Sequence, residues 1–137
     1  MADQLLKLEI VAPDHQALSI EASSVVVRSP EGELGFLPNH IALISALVPQ
    51  IVRYKDAAGH EDRIFVSGGF VEVNNNHVVI LTPAAEKADE IDFERARHAE
   101  ERARERLMNG RDNNIDVGRA EVALRRATER LKLQKYL

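Results

Sequence analysis

TPAAEKADEIDFERARHAEERARER, Thr82 to Arg106, is the stretch where one physical pattern ends and another begins. Before it, apolar residues alternate with polar ones or cluster in short β-branched runs, as strands require; after it they recur every three or four positions, as on helices. The chain therefore divides into a β domain, residues 1–84, and a helical domain, residues 85–137. At the junction stands IDFERA, Ile91 to Ala96, and 24 residues later IDVGRA, Ile115 to Ala120. In each copy an Asp precedes a helical pattern, which marks a helix start.

Working back toward the N-terminus, LLKLEIVA (Leu5–Ala12) alternates and stops at Pro13-Asp14. Strand-like runs follow at 17–20, 25–28, 42–47, 51–54, 63–67, 70–73 and 78–82, with a brief one through Phe36 and Leu37. Turn residues separate them: SPEG (29–32), DAAGHED (56–62) and NNNH (74–77). Such a series of short strands predicts an antiparallel β-sandwich or flattened barrel. Gly68-Gly69 enters a strand rather than a helix, so it is no phosphate-binding loop and reads as a bulge or a close backbone crossing.

Working forward, Ala, Glu and Arg replace the β-branched residues. Asp92 starts a helix that runs to about Met108, where Asn109-Gly110 is a stop signal. After the polar link RDNN, Asp116 starts a second helix through about Leu133. A short link obliges the two to fold back as an antiparallel hairpin. Its facing stripe is mostly alanine: Ala96, Ala99, Ala103 and Leu107 on the first helix, Ala120, Ala123, Leu124, Ala127 and Leu131 on the second. Each methyl contributes only about 0.8 kcal/mol on burial, against an ordering cost of roughly 1 to 2 kcal/mol per residue. Such a hairpin is marginal alone and needs the β domain, a ligand or a partner.

Composition narrows the chemistry. The 137 residues contain no cysteine, which excludes disulfides, thiolate metal sites and cysteine redox chemistry. No apolar run reaches the roughly 20 residues that span a bilayer, and MADQLLKLEIV has neither the basic start nor the cleavage site of a signal peptide, so direct membrane insertion and processing are not expected. Residues 1–84 carry five Lys/Arg against ten Asp/Glu, whereas 85–137 carry thirteen against twelve. The basic residues of the second half alternate with carboxylates rather than forming a block, which argues against nucleic acid.

Arg95 and Arg102 lie seven apart on one helical face, and Arg126 and Arg130 four apart on the other helix, so the pairs can converge across the hairpin. Guanidinium forks match phosphate oxygens. The competing reading is a solvated face of ion pairs, Glu100 with Arg104 and Glu121 with Arg125. In GELGFLPNH (Gly32–His40) and the Glu31 just before it, His40 with Glu31 or Glu33 suggests acid/base chemistry on paper, but no Ser or Cys nucleophile and no metal-ligand spacing accompany it. A structural corner or contact loop is the better reading, and His15, His60, His77 and His98 form no constellation.

GELGFLPNH, SGGFVEV followed by VVIL, and IDFERA ahead of a charged helical hairpin occur in that order. Over essentially the whole chain the set resembles the epsilon subunit of bacterial and plastid F-type ATP synthases. Asn39 stands where many relatives carry Gly, and Asn tolerates the same left-handed backbone. The resemblance implies a non-catalytic, regulatory rotor subunit without metal or catalytic cofactor. It would be peripheral to the membrane, with the bacterial cytoplasmic face as the expected location. The β domain would rest on the gamma subunit and the c-ring, with Glu31, Glu33 and His40 as contacts. The hairpin would either fold down on it or extend into the alpha/beta catalytic hexamer and block ATP hydrolysis. Some members bind ATP in the down state through an I(L)DxxRA motif. Here Ile91, Asp92, Arg95 and Ala96 match that motif, and Glu86, Arg102, Arg126 and Arg130 match the associated positions. The alternative is a β-sandwich adaptor whose charged hairpin docks on another helical partner without nucleotide.

Overall fold

The structure is a computed structural model and describes residues 4–109 and 116–137. Seven strands form one sheet: β1 (Leu6–Ala12), β2 (His15–Ser29), β3 (Gly32–Phe36), β4 (Leu43–Asp56), β5 (Glu61–Asn74), β6 (His77–Leu81) and β7 (Ala85–Glu86). Along the sheet the order is β1-β6-β5-β4-β2-β3, and a further β1–β2 pairing closes a five-strand ring, leaving β3 on β2 and β7 on β5 as flaps. This is the flattened barrel that the alternating pattern predicts. One ladder departs from it, because β1 and β6 pair in parallel, Leu8 with Val78 and Ile10 with Ile80.

Three strands are longer than their sequence suggests. The runs at 17–20 and 25–28 are one strand, β2, with a register shift between Ala22 and Ser24 that lets its first half pair with β1 and its second with β3 and β4. Likewise 42–47 and 51–54 join as β4 across Pro49, which has no N–H to give. The buried Gln50 side chain repairs the ladder there: its Oε1 accepts from Arg28 N–H at 2.6 Å, and its Nε2 donates to Arg28 O at 2.7 Å and to Val48 O at 2.9 Å. The runs at 63–67 and 70–73 join as β5 through Gly68-Gly69, both at φ +106. A Cβ on Gly69 would overlap the Leu81 carbonyl oxygen and sit 2.9 Å from its carbon, so the pair marks a close crossing of β5 and β6.

Short turns set the registers. Asn75 and Asn76, at φ 49 and 59, form the two central residues between β5 and β6, the twist a two-residue hairpin needs. Between β4 and β5, Asp56 Oδ1 accepts from the N–H groups of His60 and Ala58, both at 2.9 Å. These bonds, His60's foremost, hold its carboxyl below its ordinary value. Asn39 is left-handed at φ 67 in the turn after β3; Gly32–Phe36, expected as a corner with a brief strand through Phe36 and Leu37, is itself the strand, paired with β2 from Ser29 to Val25.

Inward-facing Leu6, Leu8, Ile10, Val25, Phe36, Ile64 and Ile80 fill the barrel and are shielded from solvent almost completely. The sheet runs through Ala85–Glu86 and gives way to a 3-10 turn, Ala88–Glu90, before helix α1 (Phe93–Asn109). Asp92 caps α1, its Oδ1 accepting from Arg95 N–H at 3.1 Å. Helix α2 (Val117–Lys132) begins at Asp116, which accepts from Arg119 N–H at 3.0 Å, and continues into a 3-10 turn, Leu133–Tyr136. Gly110 and the link residues 111–114, read from sequence as the stop and turn, lie outside the described residues.

Alanine lines the helix contact: Ala96, Ala103, Ala120 and Ala127 are buried, while Ala99, Leu107, Ala123, Leu124 and Leu131 are half-buried. Thr128 Oγ1 donates to Glu100 Oε2 across the pair at 3.2 Å. The hairpin docks on the barrel through a separate apolar cluster, in which Phe65, Ile91 and Leu133 are buried among Ile51, Ala88 and Phe93.

Candidate functional site

Helix α1 presents Arg95, Arg102 and Arg106 along one face, because steps of seven and four residues return to the same side of a helix. Helix α2 presents Arg126 and Arg130 toward them. The alanine stripe lets the two helices approach closely, so its methyls form the floor of a cavity rather than a filled seam. That cavity has a volume of about 460 Å³, with Ala96, Ala99, Ala103, Ala123 and Ala127 beneath and five arginines, Glu86, Glu90 and Asp92 around its rim.

The sequence-predicted residues Glu86, Asp92, Arg95, Ala96, Arg102, Arg126 and Arg130 all line this one cavity. Ile91 does not. Its side chain is buried in the docking cluster with Phe65 and Leu133, so it fixes the approach of α1 to the barrel. Glu90 and Arg106 also line the cavity and were not singled out from sequence. Arg106 was legible, four residues beyond Arg102 on the same face. Glu90 was not, since the 3-10 turn before Ile91, where its carboxylate accepts from Lys87 N–H at 2.9 Å, leaves no periodic signal.

One arginine is fixed in advance. Arg130 Nε donates to Glu86 Oε2 at 2.8 Å, and its guanidinium lies 4.5 Å from the centre of the Phe65 ring. Strand β7 holds Glu86 there and β5 holds Phe65, so barrel and hairpin build the corner together. Among the described residues, Arg95, Arg102, Arg106 and Arg126 have no carboxylate within ion-pair distance. Of the surface ion pairs expected from spacing, Glu100 with Arg104 forms at 3.7 Å, while Glu121 with Arg125 does not. Four guanidinium groups without an ion-pair partner among the described residues, around a concave, alanine-floored space, can accept an extended polyanion by forked hydrogen bonds.

The barrel residues named from sequence are not gathered into one place. Glu33 lies on β3 beside Arg53 at 3.4 Å and Arg28 at 3.9 Å. Glu31 is exposed in the β2–β3 turn, its N–H donating to Ser29 Oγ. His40 lies past the other end of β3, its Nδ1 2.7 Å from Ile41 O and its ring edge-on to Phe36 at 5.0 Å. Glu33 and Phe36 are three residues apart on the strand, about 10 Å. An acid/base pair of His40 with Glu31 or Glu33 is therefore not assembled. The same loop exposes Leu37 and Ile41, and the adjoining sheet face exposes Ile44, Phe70 and Leu81.

Two family models divide the chain. The ATP synthase Delta/Epsilon chain β-sandwich domain matches residues 5–88, and the Delta/Epsilon chain long α-helix domain matches residues 89–134. The ATP synthase epsilon chain of Halalkalibacterium halodurans is 48% identical over 126 residues, 92% of this chain and 94% of that one. That of Moorella thermoacetica is 46% identical over 127 residues, 93% and 94% respectively. Among solved structures, the chain resembles one in the Euglena gracilis mitochondrial ATP synthase, with a TM-score of 0.79 and 28% identity over 91% of this chain and 78% of that one. With both halves matched in order and relatives of one name aligned over nine tenths of their length, the chain belongs to the epsilon chain family of ATP synthases.

Proposed function

We propose that the chain is a non-catalytic central-stalk subunit of an F-type ATP synthase whose hairpin binds ATP in the alanine-floored cavity when folded down on the barrel. The observation that carries the reading is the cavity itself: it collects seven of the eight residues that match the ATP-binding pattern, four of its five arginines lacking a carboxylate partner among the described residues. In this reading Arg95, Arg102 and Arg126 hold phosphate oxygens, at roughly 1.5 to 3 kcal/mol for each shielded charge-assisted bond. Arg130, already braced by Glu86 and Phe65, closes the barrel side. Glu86, Glu90 and Asp92 orient arginines and face the base. Bound ATP joins α1 to α2 and supplies the support that the alanine seam lacks.

The barrel would rest on the gamma subunit and the c-ring. Of the three residues matched to that contact, His40 contributes a polar contact beside the exposed Leu37 and Ile41, whereas Glu31 and Glu33 lie toward the other end of β3, Glu33 between Arg28 and Arg53. Without ATP the hairpin exchanges the barrel for the alpha/beta hexamer and blocks hydrolysis. The chain would then sit at the periphery of the membrane, on the cytoplasmic face in a bacterium. No helix among the described residues is long and apolar enough to cross a bilayer.

Calorimetric titration of the full chain with ATP, with and without magnesium, tests the reading. Saturable binding is expected, weakened at least tenfold by Arg126→Ala. No heat at millimolar ATP, or an affinity that Arg126→Ala leaves unchanged, ends it.

A further inference from the structure

A second cavity, of about 230 Å³, lies on the other side of α2 from the arginine-rimmed one, where the end of the hairpin overhangs the barrel. Its floor is the outward face of β2, β4 and β5, carrying Arg28, Arg53 and Arg63. Its roof is the last turn of α2 and the 3-10 turn after it, carrying Lys132 and Lys135. The cations do not cancel locally. Arg53 and Arg63 stand directly opposite one another in the β4–β5 ladder, a cross-strand like-charge placement that costs stability.

Among the described residues, only two carboxylates line the space, Glu33 and Glu129. Glu33 is shared between Arg53 at 3.4 Å and Arg28 at 3.9 Å. Glu129 is 7% exposed and spends its charge on Lys132 at 2.9 Å. From outside the lining, Glu61 reaches Arg63 at 2.8 Å, while the Arg63 guanidinium is stacked on the Tyr136 ring at 4.1 Å. Lys135 meets no carboxylate among the described residues. Five cations thus share three carboxylates, and the uncompensated charge comes from both the barrel and the hairpin.

From this we infer that the junction is a binding site for a phosphate group, bridging the Arg53 and Arg28 guanidiniums below to the Lys135 ammonium above. Guanidinium forks fix the orientation of a tetrahedral oxyanion, and a lysine adds a mobile point charge. Because the ligand touches the barrel and the hairpin at once, it binds the folded-down arrangement and not an undocked one. The docked-to-undocked ratio then rises by the factor one plus ligand over Kd, about elevenfold at ten times Kd. The site is separate from the arginine-rimmed cavity and does not depend on the ATP reading. Two sources carry the same chemistry, free inorganic phosphate and the terminal phosphate of a nucleotide.

The test is a titration of the isotope-labelled full chain with inorganic phosphate at constant ionic strength, chloride making up the balance, followed by NMR. Saturable shifts are expected at Arg53, Lys132, Lys135 and Tyr136. They should persist in Arg126→Ala, which removes a residue of the other cavity. Lys135→Ala, an exposed position that leaves the core untouched, and Arg53→Gln should each raise Kd at least fivefold. Repeating the titration with ATP in the Arg126→Ala chain identifies the source: tighter binding than phosphate at the same residues assigns the site to a nucleotide, weaker binding to free phosphate. Shifts that fail to saturate and spread over all exposed cations, that survive both substitutions, or that vanish with Arg126→Ala overturn the inference.

Discussion

The barrel and the hairpin are held by opposite means. The barrel closes on itself and packs Phe36, Leu6, Leu8, Ile10, Ile64 and Ile80 inside, so each position removes a large side chain from water. At about 1.5 to 3 kcal/mol for each large apolar side chain fully buried, its stabilisation arises within the unit itself. Among the described residues the hairpin fully buries only alanines between its helices, and its cluster of fully buried large residues faces the barrel. What differs is where the apolar area is placed: within the unit for the barrel, between units for the hairpin. A segment built the second way gives up its position when the outside support changes.

The barrel is most vulnerable at Gly69. Alanine there is forced into the Leu81 carbonyl at φ +106, where an L-residue is strained even in open space. Because the crossing of β5 and β6 is part of the closed ring, Gly69→Ala is expected to cost more than about 4 kcal/mol, in the range reserved for core disruption. Urea unfolding should show the whole chain destabilised, hairpin included, since the hairpin has no other platform. A chain with Gly69→Ala that retains its midpoint would mean that β6 can move aside, and that the barrel is looser than its packing indicates.

Leu133→Ala separates the two regions instead of losing both. Leu133 is completely buried against Phe65 and Ile91 at the docking cluster, so truncation costs about 2 to 5 kcal/mol. The loss falls on docking and not on the barrel. Amide exchange in α1 and α2 should accelerate markedly while β1, β4, β5 and β6 keep their protection. Uniform loss of protection across both regions would show that they unfold as one unit and would remove the basis for a detachable hairpin.

How much of this was legible in the sequence follows the same division. The change of period at Thr82–Arg106, the Asp92 and Asp116 helix starts, the Gly68-Gly69 crossing and the alanine stripe all rest on local chemistry, and all are present in the structure. Strand continuity was not legible. Ser23-Ser24, Pro49-Gln50 and Gly68-Gly69 look like breaks, yet a bulge, a side-chain amide and two positive-φ glycines carry the chain through them. The parallel β1–β6 pair was invisible because the pattern of either strand is the same whichever way its neighbour runs. At the candidate site, helical spacing brought the arginines together on paper. It gave no hint that Ile91 turns away into the docking cluster, or that Glu129 is buried against the sheet, since both depend on how α2 lies on β4.

Asp92 and Asp116 are the same local device in different surroundings. Asp92 and Asp116 each accept from the N–H three residues on, at 3.1 and 3.0 Å, and each is worth about 1 kcal/mol as a helix cap. Asp92 also lines the arginine-rimmed cavity, whereas Asp116 does not. Asp92→Ala and Asp116→Ala should therefore lower stability by similar, small amounts in thermal unfolding, while only Asp92→Ala changes ATP affinity. Asn at each position keeps the cap but removes the charge, so Asp92→Asn should restore stability without restoring affinity. If Asp116→Ala lowers affinity as much as Asp92→Ala, the effect of both is on the helices alone, and the carboxylate at 92 has no part in the ligand's surroundings.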